Sequence, residues 1–105
     1  MRTISLTEEN GFKAETFSTL HAHASPYTKV VNFNFEPGQE LPLHSHDIEG
    51  ELVLTVLEGE GEFLGAEGMR VPARTGDVLI ADIAEPHGVR AISRMRVLVV
   101  IAPPI

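Results

Sequence analysis

The sequence predicts an all-β domain built as an antiparallel sandwich or barrel, on three observations. Short stretches of strand-like composition recur at residues 28–36, 51–58, 62–65, 69–73, 78–81, 88–92 and 95–102. Glycine and proline punctuate nearly every gap between them, at Pro37-Gly38, Gly59 to Gly61, Gly65 to Gly68, Gly76-Asp77 and Glu85-Pro86. No stretch of twelve residues carries helical periodicity, and many short, closely spaced strands belong to antiparallel architectures.

The elements follow in chain order. Residues 1–29 form an N-terminal strand segment, and the pair His21 and His23 sits in it at a spacing that suits a surface or barrel-rim strand. In 28–36, Val31, Phe33 and Phe35 alternate with Val30, Asn32 and Asn34, the period of a strand buried on one face. The run 52–57 breaks that alternation, being apolar or nearly so at both parities, and such a strand wants cover on both faces. One face meets the core; a second copy of the chain is the simplest cover for the other, which predicts a homodimer. The flanking Glu51, Glu58, Glu60 and Glu62 would otherwise guard a sticky surface strand.

At 105 residues the chain fits one domain, 1–105, able to bury roughly 65% of its unfolded surface in one core. Apolar residues at 43% and charged residues at 22% are those of a globular protein rather than a disordered one. Fifteen acidic against eight basic side chains, net −7, argue against nucleic acid, because phosphate binding requires a cationic surface. The absence of cysteine excludes disulfides, thiolate metal sites, iron–sulfur clusters and a cysteine nucleophile, so any metal must be held by nitrogen and oxygen. The N-terminus lacks a signal-peptide core and the apolar runs 52–57 and 97–102 are too short to span a bilayer, so no membrane partner is expected and the expected location is the cytoplasm.

The candidate chemistry lies in histidine. His44 and His46 are spaced i, i+2, so on an extended strand both imidazoles leave one face and can chelate one ion. Spacing alone does not separate this pair from His21 and His23; context does. Residues 37–59, PGQELPLHSHDIEGELVLTVLEG, resemble the first cupin motif, G-x5-H-x-H-x3 or x4-E-x6-G, with Gly38, His44, His46, Glu51 and Gly59 in the matching places. Residues 76–91, GDVLIADIAEPHGVRA, resemble the second, G-x5-P-x-G-x2-H-x3-N, through Gly76 and His87. Two motifs in the correct order are more specific than either alone. The resemblance implies a double-stranded β-helix, or jelly-roll barrel, over about 30–101, with a metal inside held by His44, His46, Glu51 and His87.

There are departures from the pattern. Seven residues separate Glu51 from Gly59 where the motif has six, which puts Leu52 in the usual carboxylate position unless a β-bulge turns Glu51 inward. Glu49, on a loop, is a further candidate. Asp82, Ala84 and Ala91 replace the motif's Pro, Gly and Asn, and Arg90 is placed to face the cavity and hold an anionic substrate. The acidic residues from Asp47 to Glu62 lack the hinged loop of a calcium site.

Imidazoles, with or without a carboxylate, suit a divalent transition metal: iron, manganese, zinc, nickel or copper. Open positions on it permit a dioxygenase, or Lewis-acid chemistry in an isomerase, epimerase or lyase, acting on a small organic molecule in the barrel. A non-catalytic ligand-binding or sensing role, with structural metal or none, remains open, because one fold hosts many chemistries.

Overall fold

A computed structural model describes residues 1–105. After a single helical turn, α1 (Leu6–Glu9), the chain runs through nine strands: β1 (Ser18–Ala24), β2 (Lys29–Phe35), β3 (Glu40–His44), β4 (Glu51–Glu58), β5 (Glu60–Leu64), β6 (Arg70–Arg74), β7 (Val78–Asp82), β8 (His87–Ala91) and β9 (Met95–Ala102). They form two antiparallel sheets, one of five strands in the order β1-β2-β9-β4-β7 and one of four in the order β3-β8-β5-β6. This is the double-stranded β-helix. No helix is long and apolar enough to cross a membrane.

Each strand contributes alternate residues to the space between the sheets. Leu52, Leu54 and Val56 of β4, Val97 and Val99 of β9, and Phe35 of β2 meet Phe63, Val89 and Ala91 of the smaller sheet in one core. Phe35 has no exposed surface, and a side chain of that size contributes about 2–3 kcal/mol by burial. The turns obey the expected chemistry. At Gly59, with φ 88°, an added Cβ would lie 2.0 Å from the Arg94 carbonyl oxygen, so no other residue fits between β4 and β5.

Strand β2 departs from the one-sided pattern expected of it. Asn32 and Asn34 are as fully buried as Phe35, because the N-terminal segment lies over the outer face of the sheet at that point. Asn10 bridges the two layers: its amide donates to Asn32 Oδ1 at 2.8 Å, and its own Oδ1 accepts from the Ser18 hydroxyl. Asn34 donates to the carbonyls of Asn10 (3.0 Å) and Gly11 (2.9 Å), and Arg96 reaches the carbonyls of Leu6 and Asn10. Every buried side-chain polar atom has a partner, so the network closes without the penalty of an unmade hydrogen bond.

Strand β3 is not legible as such in the sequence. It carries Pro42, which an edge strand tolerates because a missing N–H there costs no ladder bond, and its pairing with β8 shifts register between Leu41 and His44.

Candidate metal and ligand site

A cavity of about 250 Å³ lies inside the barrel. Its walls are apolar, with Val31, Phe33, Leu52, Leu54, Val99 and Ile101 contributed by the five-stranded sheet. Four histidines line it, and the three from the motif segments each arrive by a different route. His87 opens β8 and is buried. His44 closes β3 directly opposite, as the cross-strand partner of His87. His46 lies two residues past the end of β3, its backbone N–H held by the Ile83 carbonyl at 3.1 Å, so the pair does not share one strand as the i, i+2 spacing suggests. The ring centroids of His44 and His87 are 4.4 Å apart, and those of His44 and His46 5.7 Å.

Two of the rings are fixed by the backbone. His44 Nδ1 contacts the Pro42 carbonyl oxygen at 2.8 Å and His87 Nδ1 the Glu85 carbonyl oxygen at 2.6 Å. A carbonyl can only accept, so both Nδ1 atoms carry the proton and both Nε2 atoms keep a free lone pair, the tautomer a metal ligand needs. Burial pulls the His87 imidazole below its ordinary value of 6.5, opposed by the Glu85 carbonyl and assisted by the neighbouring His44 and His46. Burial therefore favours the neutral ring, the form that can donate its lone pair. The His46 side chain is exposed. As they stand, the rings do not form a closed coordination set: no group of three or more His, Asp or Glu side chains is arranged to hold an ion.

Glu51 does not join the histidines. Strand β4 does carry a bulge, but it lies at Leu57, between Val56 and Glu58. From Glu51 to Val56 the alternation is unbroken, so Leu52, Leu54 and Val56 point inward and Glu51 points out to solvent. Turning it inward would take a bulge between Glu51 and Leu52, and Leu52 lines the cavity instead. Glu49 is exposed as well and borders a separate shallow hollow with Asp47 and Asp82. Arg90 also faces away from the cavity, toward Glu40 at 3.9 Å. The His21 and His23 pair is split by a register shift in β1: His21 opposes Val31 and lines the cavity, whereas His23 opposes Val30 and meets Arg2 at 2.7 Å on the outer face.

Reading the sequence alone misses Lys29, which lines the cavity and donates to the Ile105 backbone oxygen at 3.2 Å. The signal is present, because Lys29 is in phase with Val31, Phe33 and Phe35 on the inward side of β2. A second, mainly apolar cleft of about 190 Å³ between the edges of β6 and β7 reaches His87 from the other side.

A double-stranded β-helix whose cavity gathers three histidines from two motif segments defines a class of small barrel proteins. The cupin domain family matches residues 31–101, and the chain belongs to that family. A solved RmlC-like cupin protein from Desulfovibrio desulfuricans is 52% identical, with a TM-score of 0.96 over 100% of this chain and 99% of its own. An uncharacterized conserved protein with a double-stranded β-helix domain from Klebsiella pneumoniae is 26% identical, with a TM-score of 0.89 over 98% of this chain and 90% of its own. A protein of Thermus thermophilus is also 26% identical, with a TM-score of 0.88 over the whole of both chains. No curated protein matches the chain in sequence.

Proposed function

We propose that this cupin holds one divalent transition metal on His44, His46 and His87 and uses it on a small organic molecule bound in the same cavity. The observation that carries the reading is the pair of backbone carbonyls that lock His44 and His87 as Nδ1–H tautomers beside one cavity. Neutral imidazole is the common nitrogen ligand of iron, nickel, copper and zinc, and orientation by a carbonyl is the usual support for such a ligand. With Leu52 on the inward face, the donor set is three imidazoles without a carboxylate. When bound there, the metal supplies Lewis acidity or redox chemistry at its open positions. The chain's own part is to seat the organic body of the ligand against Leu54, Val99 and Ile101 and to keep the His87 lone pair out of water. A dioxygenase, or an isomerase, epimerase or lyase, is consistent with such a site. A purely ligand-binding barrel is the competing reading, favoured by rings that form no closed coordination set as they stand.

Elemental analysis of the purified protein decides between them. One transition metal per chain is expected, lost in His44→Ala and His87→Ala and retained in His21→Ala. Equal retention in all three variants overturns the metal assignment.

We further propose a symmetric homodimer. On the outer face, Val30, Val100, Val53 and Ile80 stand side by side in one row across four strands, with Leu98, Thr55 and Val78 in the next. Ile80 is 65% exposed and Val78 53%, and the N-terminal segment reaches these rows only at Val30 of β2 and Leu98 of β9. A patch of this kind supports burial against a second copy.

A further inference from the structure

On the five-stranded sheet, polar side chains of the cavity wall are confined to the β1–β2 end. They are Thr19 and His21 of β1 and Lys29 of β2, and the wall beyond them is apolar. Lys29 is engaged by the Ile105 backbone oxygen. Elsewhere on β1, Ser18 donates to Asn10 and His23 meets Arg2. Thr19 and His21 make no such bond within the chain: they stand exposed at the cavity rim with their donors and acceptors free.

We propose that Thr19 and His21 form the polar subsite of this cavity and determine which ligands it takes: small molecules that carry, on an apolar body, one uncharged group able both to donate and to accept a hydrogen bond, a hydroxyl or a primary carboxamide. The proposal rests on the reading of this cavity as the ligand site and adds to it a subsite that contains none of the metal ligands. The register fixes the span. His21 pairs with Val31, Val31 with Val99 and Val99 with Leu54, so one inward row carries an imidazole at the rim and apolar side chains on the next three strands, about 14 Å in all. Thr19 heads the adjacent row, opposite Phe33. A volume of about 250 Å³ falls below the roughly 300–1,000 Å³ of drug-sized pockets, which restricts the apolar body to a few carbons or a single ring.

Chemistry favours the uncharged group. A neutral imidazole offers one donor and one acceptor, and a hydroxyl offers both as well. Two residues apart on one strand, with Cα atoms about 6.7 Å from each other, the pair can meet the N–H and C=O of a single carboxamide or hold one hydroxyl between them. An ion gains less, because neither side chain supplies a formal charge to offset the water that the apolar wall strips away. Water makes the same bonds when the rim is empty, so each bond to the ligand contributes a preference of a few-fold rather than its full strength.

The test titrates the full chain, after chelator treatment, with benzyl alcohol and benzamide against toluene, followed by NMR. The affinity of each polar probe relative to toluene should fall about fivefold in His21→Leu and about tenfold or more when Thr19→Val is added, the effect of one and then two neutral hydrogen bonds. His21→Gln, which keeps a donor and an acceptor, should retain most of the wild-type ratio. Toluene itself should bind no more weakly in the variants, so a general loss of fold or cavity is told apart from loss of the subsite. A ratio unchanged in the double variant, or no saturable binding of any probe at millimolar concentration, overturns the proposal. Metal content of the untreated samples separates the two readings. Loss of metal in His21→Leu would make His21 a ligand and overturn the subsite. A His21-dependent ratio in protein that binds no metal sinks the metal assignment and leaves the subsite standing, whereas stoichiometric metal with a ratio indifferent to both substitutions does the reverse.

Discussion

At the scale of single residues, the site depends on which atom of each ring holds the proton. Because metal and proton compete for the same Nε2 lone pairs, metal affinity should fall steeply as pH drops from 8 toward 5, approaching a limiting slope of about three protons per metal. Affinity that stays flat across that window, measured in a non-coordinating buffer, would remove the histidines as ligands. His87 adds a separate effect on folding. Its imidazole is held below the ordinary value of 6.5, chiefly by burial, so the fold favours the neutral ring. The stability this contributes is complete above about pH 6.5 and is lost as pH falls through the lowered value, an effect readable in the Tm of chelator-treated protein. Leu52 offers the complementary experiment. Leu52→Glu should tighten metal binding by placing a carboxylate on the inward face, while costing the chelator-treated protein about 2–4 kcal/mol for burying an unpaired charge. Tighter binding without that cost would mean the cavity is wetter than its walls suggest.

At the scale of elements, the polar layer beneath the N-terminal segment holds that segment in place. Asn10→Ala would leave Asn32 Oδ1 and the Ser18 hydroxyl without their partner in a buried setting. A loss of about 2 kcal/mol is expected, roughly 10 °C in Tm for a domain of this size, measurable by calorimetry. A change near zero would show that water replaces the lost amide. This layer also marks the limit of what the sequence discloses. Residues 51–58 and 95–102 coincide with β4 and β9, because short, nearly continuous apolar runs rich in β-branched residues between turns have few alternatives. Asn32 and Asn34 point to a solvated face when read in sequence, since alternation reports polarity and cannot reveal that a distant segment will return to satisfy two amides. The histidines are legible through motif offsets, which are local. Where Glu51 points is not, because it hangs on whether a single residue bulges, and the bulge forms at Leu57 instead.

At the scale of the whole molecule, the two sheets divide the work. The inner faces carry the core and the cavity, and the outer face of the larger sheet carries the apolar rows at which we propose a second copy docks. Sedimentation at micromolar concentration should show a dimer, and Ile80→Lys should shift it toward monomer, because a charge on the most exposed residue of these rows would be desolvated without a partner. Metal content should not change, since Ile80 lies outside the histidine cavity. A monomeric parent protein at that concentration would remove the argument for assembly. The run 52–57 predicts the dimer from sequence, yet only Val53, Thr55 and Leu57 of that run point outward. The two most exposed apolar residues of these rows, Ile80 and Val78, belong to β7, which a reading of β4 alone does not include.

The contact between Lys29 and Ile105 opens a practical route. Ile105 borders the cavity, and the chain contains neither cysteine nor tryptophan. A single cysteine appended after Ile105 would be the only thiol in the protein, so an environment-sensitive dye could be attached there at one defined place. A ligand entering the cavity beside Ile105 would alter the dye's surroundings and its emission, turning the barrel into an optical sensor for its own occupant.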